Sequence, residues 1–243
     1  LLQPTALGCT PSYALHLAEW ALDRGVDTVS SSIKKILVAG EPGGGEPEMR
    51  KRIEEAWGAK VTEAMGIGDI SVSLWGECPE QSGMHFSGQG FVHFELIDPE
   101  TGALIAPEDG AEGELVYTHL RHRAAPLLRF RSRDRVRMSV GDCPCGRTTP
   151  RVRCIGRTDD LLIVRGVNVY PSAIRDIVGR FGRSVSGTVS IRPTTRAVKQ
   201  APPLPVVVEI GHGVSPDQDL ADRIRQRIRD ELIVTSEITL VAS

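Results

Sequence analysis

Three cysteines and a histidine are the side chains of this sequence best suited to hold a metal. Cys78 precedes His85 in a C-x6-H arrangement, and Cys143 and Cys145 form a C-x-C pair. Thiolates and imidazole are donors that zinc prefers, and a structural zinc site is closed by four protein ligands. The C-x-C pair is tighter than the common C-x2-C, so the competing reading is buried free cysteines beside a surface histidine. With all four positions filled by protein, no place is left for an activated water, so such a zinc would staple the fold and not catalyse. The cysteine total of 5 is odd, which argues against a complete disulfide framework. Cys9 and Cys154 lie apart and read as core residues, and His16 and His93 as ordinary structural ones.

Charged residues beside glycines form a second group. Asp69 closes the run MGIGD and Asp134 closes LLRFRSRD, while Arg157 follows Gly156 and Arg165 precedes Gly166. A backbone without Cβ lets a ligand approach closely, and a guanidinium there can reach it. Each has a plainer alternative, a solvated turn aspartate or a surface arginine beside a turn glycine. Arg121, Arg123, Arg129, Arg131, Arg133, Arg135 and Arg137 recur at odd spacing, which puts many of them on one strand face. That face suits phosphate, but a solvated face paired with acidic side chains is the simpler account.

The elements that must position these groups follow from periodicity and turn residues. Residues 12–24 have a helical rhythm, IKKILVA (33–39) reads as a strand, and a Gly-rich turn leads into a helix over 47–57. A second strand over 60–65 completes a βαβ unit and a largely parallel sheet. From about 88 to 138 the runs FVHFELID, GELVYT and PLLRFR alternate, which predicts antiparallel strands. A hairpin about Arg165-Gly166 follows. Beyond it come a helix (171–181), strands (185–191 and 204–210) with the polar loop PTTRAVKQAPP between them, a helix (216–232) and a strand (238–241). The fold class is therefore α/β: a large α/β domain with an antiparallel part over residues 1–156, then a small α+β lobe over 157–243.

A formal net charge of -2 provides no basic field for nucleic acid. No apolar run approaches the roughly 18–20 residues that span a bilayer, and no signal-peptide pattern opens the chain, so no membrane partner is expected and the cytoplasm is the expected compartment. The chain begins Leu1-Leu2-Gln3 without a Met, so it reads as a piece of a longer protein.

Several segments, in order, resemble the acyl-adenylating superfamily of acyl-CoA synthetases and luciferases, most closely its phenylacetate–CoA ligase branch. They are CTPSYALHLAE (9–19), AGEP (39–42), MGIGD (65–69), GELVYT with PLLRFRSRD (113–134), CPCGRTTPR (143–151) and GRTDDLLIVRGVNVYPS (156–172). The resemblance implies the remainder of a large adenylating domain followed by the small mobile C-terminal lobe. The family's phosphate loop would lie upstream of Leu1 and its catalytic lysine beyond Ser243.

The resemblance also implies roles. Asp134 would accept both ribose hydroxyls of ATP, a task suited to two coplanar acceptor oxygens. Gly40, Glu41 and Pro42 would form the turn against adenine. Met65 and Gly66 stand where relatives carry Tyr-Gly, so Met65 would offer its polarizable face to the base. Asp69 stands for an acid that helps hold Mg²⁺. Arg157, Arg165 and Gly166 would face the nucleotide or the pantetheine channel, with Asp69, Arg157 and Arg165 the catalytic set, and Asp159 would be the hinge. Cys78, His85, Cys143 and Cys145 match a cluster that some relatives carry. Gly68 and the shorter Asp69 depart from the family pattern, as does Ser132-Arg133 where Thr-Gly is commoner. The implied activity joins a carboxylic acid, aromatic or arylacetic by the family's habit, to CoA at the expense of ATP. The alternatives are an adenylating enzyme that loads a carrier protein, or a catalytically impaired nucleotide-binding relative. A homodimer fits the resemblance.

Overall fold

A computed structural model of the protein describes residues 2–195 and 197–242. The first strand, β1 (Ala6–Cys9), runs into helix α1 (Pro11–Leu22), which begins at Thr10, whose hydroxyl accepts the Tyr13 N–H at 3.4 Å. Proline at the first helical position loses no bond there. Strand β2 (Lys35–Val38), helix α2 (Pro47–Trp57) and strand β3 (Lys60–Ile67) follow. Helix α2 also starts on proline and stops at Gly58, whose φ of +58° is a left-handed cap. The three strands pair in parallel, and Ile36, Val38 and Val61 pack against Ala14, Ile53 and Trp57 of the helices. Burying side chains such as Ile53 and Trp57 contributes about 2–3 kcal/mol each.

Strand β3 changes the character of the sheet, pairing in parallel with β2 and antiparallel with β4 (Ser71–Glu77). Next come β5 (Met84–Phe86), β6 (Val92–Ile97), β7 (Leu104–Ile105), β8 (Glu112–His119), β9 (Phe130–Ser139) and β10 (Arg151–Arg157). The result is one 10-stranded sheet in the order β1-β2-β3-β4-β5-β10-β9-β8-β6-β7. Its antiparallel part encloses a second core in which Trp75 lies 4.9 Å from Phe86 and 5.1 Å from Phe94, centroid to centroid. The buried Trp75 indole N–H is satisfied by the Tyr117 hydroxyl at 2.7 Å.

The remaining residues form a second compact unit, from Asp159 onward. It contains β11 (Leu162–Val164), β12 (Val167–Val169), α3 (Pro171–Gly179), β13 (Val185–Ile191), β14 (Lys199–Gln200), β15 (Leu204–Ile210), α4 (Gln218–Leu232) and β16 (Ser236–Val241). Its strands make two sheets, β12-β11-β14 and β13-β15-β16, over a core that includes Ile174, Ile177, Val206, Val208, Ile224 and Ile228.

Three differences from the sequence reading have physical causes. The units divide after Thr158 rather than after Gly156, because Gly156 and Arg157 still pair with Arg135 and Asp134 of β9. Strand β9 begins at Phe130 rather than at Pro126, since Leu127 and Arg129 are spent on bonds to His119 and Thr118 side chains. The polar loop after β13 contains strand β14, where the buried Gln200 amide bonds with Thr194, Thr195 and Ala197 and so ties the loop to itself. Arg196, within that loop, lies outside the described residues. Among the described residues no helix is long and apolar enough to cross a membrane.

Candidate functional site

The parallel strand β3 and the antiparallel strands β9 and β10 border a cleft of ≈ 400 Å³ in the first unit. Its lining brings together Gly40, Glu41 and Pro42 from the loop after β2, Met65 and Gly66 from the end of β3, Asp69 from the turn that follows it, and Asp134 and Arg157. These residues are scattered through the sequence, yet all of them line the one cleft. Gly40 has a φ of +90°, which glycine adopts without strain. Gly66 has a packing reason as well, because a Cβ there would lie 2.1 Å from the Val72 carbonyl oxygen. The Glu41 carboxylate is engaged elsewhere, accepting the Ser12 N–H at 2.6 Å at the start of α1. Cys154, expected in the core, is half-buried and lines the cleft, and burial pushes its thiol up to about 11. Cys9, also expected in the core, is only half-buried and packs at the edge of the first core.

Asp134 and Arg157 face each other across β9 and β10, and the guanidinium lies 3.1 Å from the carboxylate. Asp134 is held from behind by its own N–H bonded to the Ser132 hydroxyl at 3.0 Å. Between them Arg133 has a φ of +68°, the left-handed region, which costs a non-glycine residue about 1 kcal/mol. The buried Glu114 of β8 holds this bend: it accepts from Arg131, from the Arg133 N–H at 3.2 Å and from the Thr158 hydroxyl at 3.3 Å. Arg129 and the odd-numbered arginines of β9 are chiefly a paired face. Arg129 bonds Glu95, Arg131 bonds Glu114, and Arg135 and Arg137 share Glu112.

A network that the motifs do not announce lies behind the Gly-rich loop. Arg50 of α2 donates from Nε and Nη2 to the Gly44 carbonyl at 2.9 and 2.6 Å. The same Nη2 lies 2.9 and 2.8 Å from the two oxygens of Glu77, with side chains only 9% and 1% exposed. Glu77 in turn accepts the Glu63 N–H at 2.9 Å. Glu63 reaches the cleft, and burial, reinforced by the charge of Glu77, pushes its carboxyl up to about 6. Its oxygens also crowd Gly45, where a Cβ would sit 2.7 Å from Oε2. The available signal was Arg50, a charge on the same helical stripe as the buried Ile53 and Trp57.

Arg165, Gly166 and Asp159 belong to the second unit. Arg165 and Gly166, with φ of +50° and +84°, form the exposed two-residue turn between β11 and β12, the geometry of a type I′ hairpin. Asp159 lines a groove with Asp160, Pro171 and Thr194.

The donor atoms of Cys78, His85, Cys143 and Cys145 all lie within 4.8 Å of one another. Cys78 follows β4, His85 lies on β5, and pairing of Arg151 with His85 draws the loop before β10 alongside them. Cys78 Sγ is 3.7 Å from Cys143 Sγ, and Cys145 Sγ is 3.5 Å from His85 Nε2. A tetrahedron with Zn–S of about 2.3 Å has S···S edges of ~3.8 Å, so the donor set fits the ion. His85 Nδ1 lies 3.2 Å from the Thr149 hydroxyl, the kind of outer contact that orients a ligating imidazole. A backbone N–H from Cys145 leads the interactions that lower the Cys143 thiol to about 6, whereas burial raises that of Cys78.

No protein-family profile matches the chain. A solved 2-hydroxyisobutyryl-CoA ligase, in the postadenylation state with 2-HIB-AMP, superposes with a TM-score of 0.88 at 30% identity, over 99% of this chain and 51% of that one. The fold is that of the adenylating acid–CoA ligases. A phenylacetate–coenzyme A ligase of Thermus thermophilus is 36% identical over 258 aligned residues, covering 98% of this chain and 56% of the relative. One of Escherichia coli is 34% identical over 184, covering 74% and 40%. The chain belongs to the phenylacetate–coenzyme A ligase family, and it spans about half the length of the curated relatives it matches.

Proposed function

We propose that the protein acts in ATP-dependent joining of a carboxylic acid to CoA through an acyl-adenylate. The observation that carries the reading is the convergence of Asp134, Arg157, the Gly40–Pro42 turn, Met65 and Asp69 on one cleft. In this reading adenine lies between the turn and Met65, and Asp134 accepts the ribose hydroxyls once Arg157 swings from it to the nucleotide. The substrate carboxylate attacks the α-phosphorus and pyrophosphate leaves. The thiol of CoA then attacks the activated carbonyl, releasing AMP. Catalysis of the first half is positioning and charge neutralisation. Asp69 would hold Mg²⁺, which supplies charge neutralisation at the phosphates when bound.

The unit from Asp159 onward serves as the mobile lobe, with Asp159 as hinge and the Arg165-Gly166 turn presented to the nucleotide or pantetheine. Cys78, His85, Cys143 and Cys145 hold a structural zinc that ties β4 and β5 to the loop before β10. The free cysteines suit the cytoplasm. The acid is aromatic or arylacetic, by likeness to the named relatives.

The test is acid-dependent exchange of pyrophosphate into ATP, measured on the full-length protein over a panel of aryl and arylacetic acids. Exchange with at least one acid is expected, followed by thioester formation with free CoA. A folded, ATP-binding protein without exchange refutes adenylation. Exchange with transfer only to a phosphopantetheinyl carrier protein refutes CoA as acceptor.

A further inference from the structure

Arg133 differs from the other arginines on β9 and just before it. Arg129, Arg131, Arg135 and Arg137 each meet a carboxylate on β6 or β8. The guanidinium of Arg133 has no such partner among the described residues, although it lines the cleft beside Asp134. The other two arginines of the lining each meet a carboxylate, Arg131 that of Glu114 and Arg157 that of Asp134. Among the described residues Arg133 is thus the arginine of this lining that meets no carboxylate, in a cleft that Glu63, Asp69 and Asp134 also line.

The backbone adds an independent observation. At a φ of +68° a glycine would be unstrained, whereas arginine carries a penalty. The conformation itself serves the fold, since the Arg133 N–H bonds Glu114 and its carbonyl accepts the Thr158 N–H at 2.7 Å. Neither bond needs a side chain. The strained backbone therefore explains the bend and leaves the guanidinium without a structural task, and strain of this kind gathers at ligand sites.

We propose that Arg133 binds the phosphoryl group of the nucleotide and so sets the preference of the cleft for a nucleotide over a nucleoside. The inference rests on the nucleotide reading of the cleft. With the ribose on Asp134, the phosphoryl group lies one sugar ring away. A guanidinium on a long stem at the adjacent residue can reach it with two parallel N–H donors.

The test is calorimetric titration of the protein with 5′-AMP and, separately, with adenosine. Arg133→Gly and Arg133→Gln should each weaken AMP roughly 10-fold, the loss of one charge-assisted contact, and leave adenosine unchanged. Arg133→Lys should keep part of the preference. Arg133→Gly should also raise the melting temperature, because glycine relieves the left-handed backbone, so weaker binding cannot be ascribed to misfolding. Unchanged AMP affinity in the Gly and Gln variants, or equal losses for AMP and adenosine, would overturn the role of Arg133. A wild-type protein that binds neither ligand overturns the nucleotide reading itself.

Discussion

Replacing Glu63 by glutamine should stabilise the first unit at neutral pH and do nothing comparable near pH 4. The Glu63 carboxyl is raised from 4.5 to about 6 by burial and by the charge of Glu77. At 1.36 kcal/mol for each pH unit, that difference is worth ~2 kcal/mol. The folded state binds this proton more tightly than the unfolded chain does. Stability from Glu63 is therefore fully present below pH 4.5 and is lost as pH rises through 6. Glutamine keeps an acceptor oxygen and carries no charge, so it escapes the loss. The assay is urea unfolding followed by tryptophan fluorescence, which reports on the first unit because Trp20, Trp57 and Trp75 all lie there. The difference between variant and wild type should grow by up to ~2 kcal/mol from pH 4 to pH 7.5. A difference that stays flat, or that shrinks with pH, would show that Arg50 and Arg153 outweigh burial and would refute the argument.

Glu77→Ala strands the Arg50 guanidinium, whose side chain is 9% exposed, and should cost about 3–5 kcal/mol in the same assay; a loss below about 1 would mean that water reaches Arg50. Gly66→Ala puts a Cβ 2.1 Å from the Val72 carbonyl, so it should destabilise by at least ~1–3 kcal/mol, and an unchanged unfolding midpoint would contradict the β3–β4 geometry. Elemental analysis of the purified protein should give about one zinc per chain, lost with a fall in melting temperature on Cys78→Ser or strong chelation. Metal-free protein of unaltered stability would leave the cysteines as packing residues.

How much of this was legible in the sequence depended on whether a residue's meaning is local. Helix α2 and strands β13 and β15 were readable at their observed bounds, because proline, glycine and alternating apolar residues mark them. Strands β4, β5 and β10 were not read as strands. The first has exposed Ser71, Val72 and Ser73, the second has three residues, and the third is rich in arginine, so none presents a clean period of two. The motif residues of the cleft were legible as a set. Their support was not, because Arg50, Glu63 and Glu77 acquire meaning only when β3 and β4 bring the acids under α2. The opposite happened at Glu41, whose carboxylate proves to serve the start of α1. The four residues of the cysteine cluster were legible as a candidate donor set because few residue types suit a metal, and their donor atoms do lie within 4.8 Å of one another.

The central claim is that the cleft bordered by β3, β9 and β10 holds an adenosine nucleotide. A crystal structure of the protein with AMP tests it most directly. The account predicts the ribose hydroxyls on Asp134, the base between Met65 and the Gly40–Pro42 turn, and Arg157 moved from its 3.1 Å contact with Asp134 onto the ligand. AMP bound at another place, or a cleft that stays empty at saturating AMP, would contradict it.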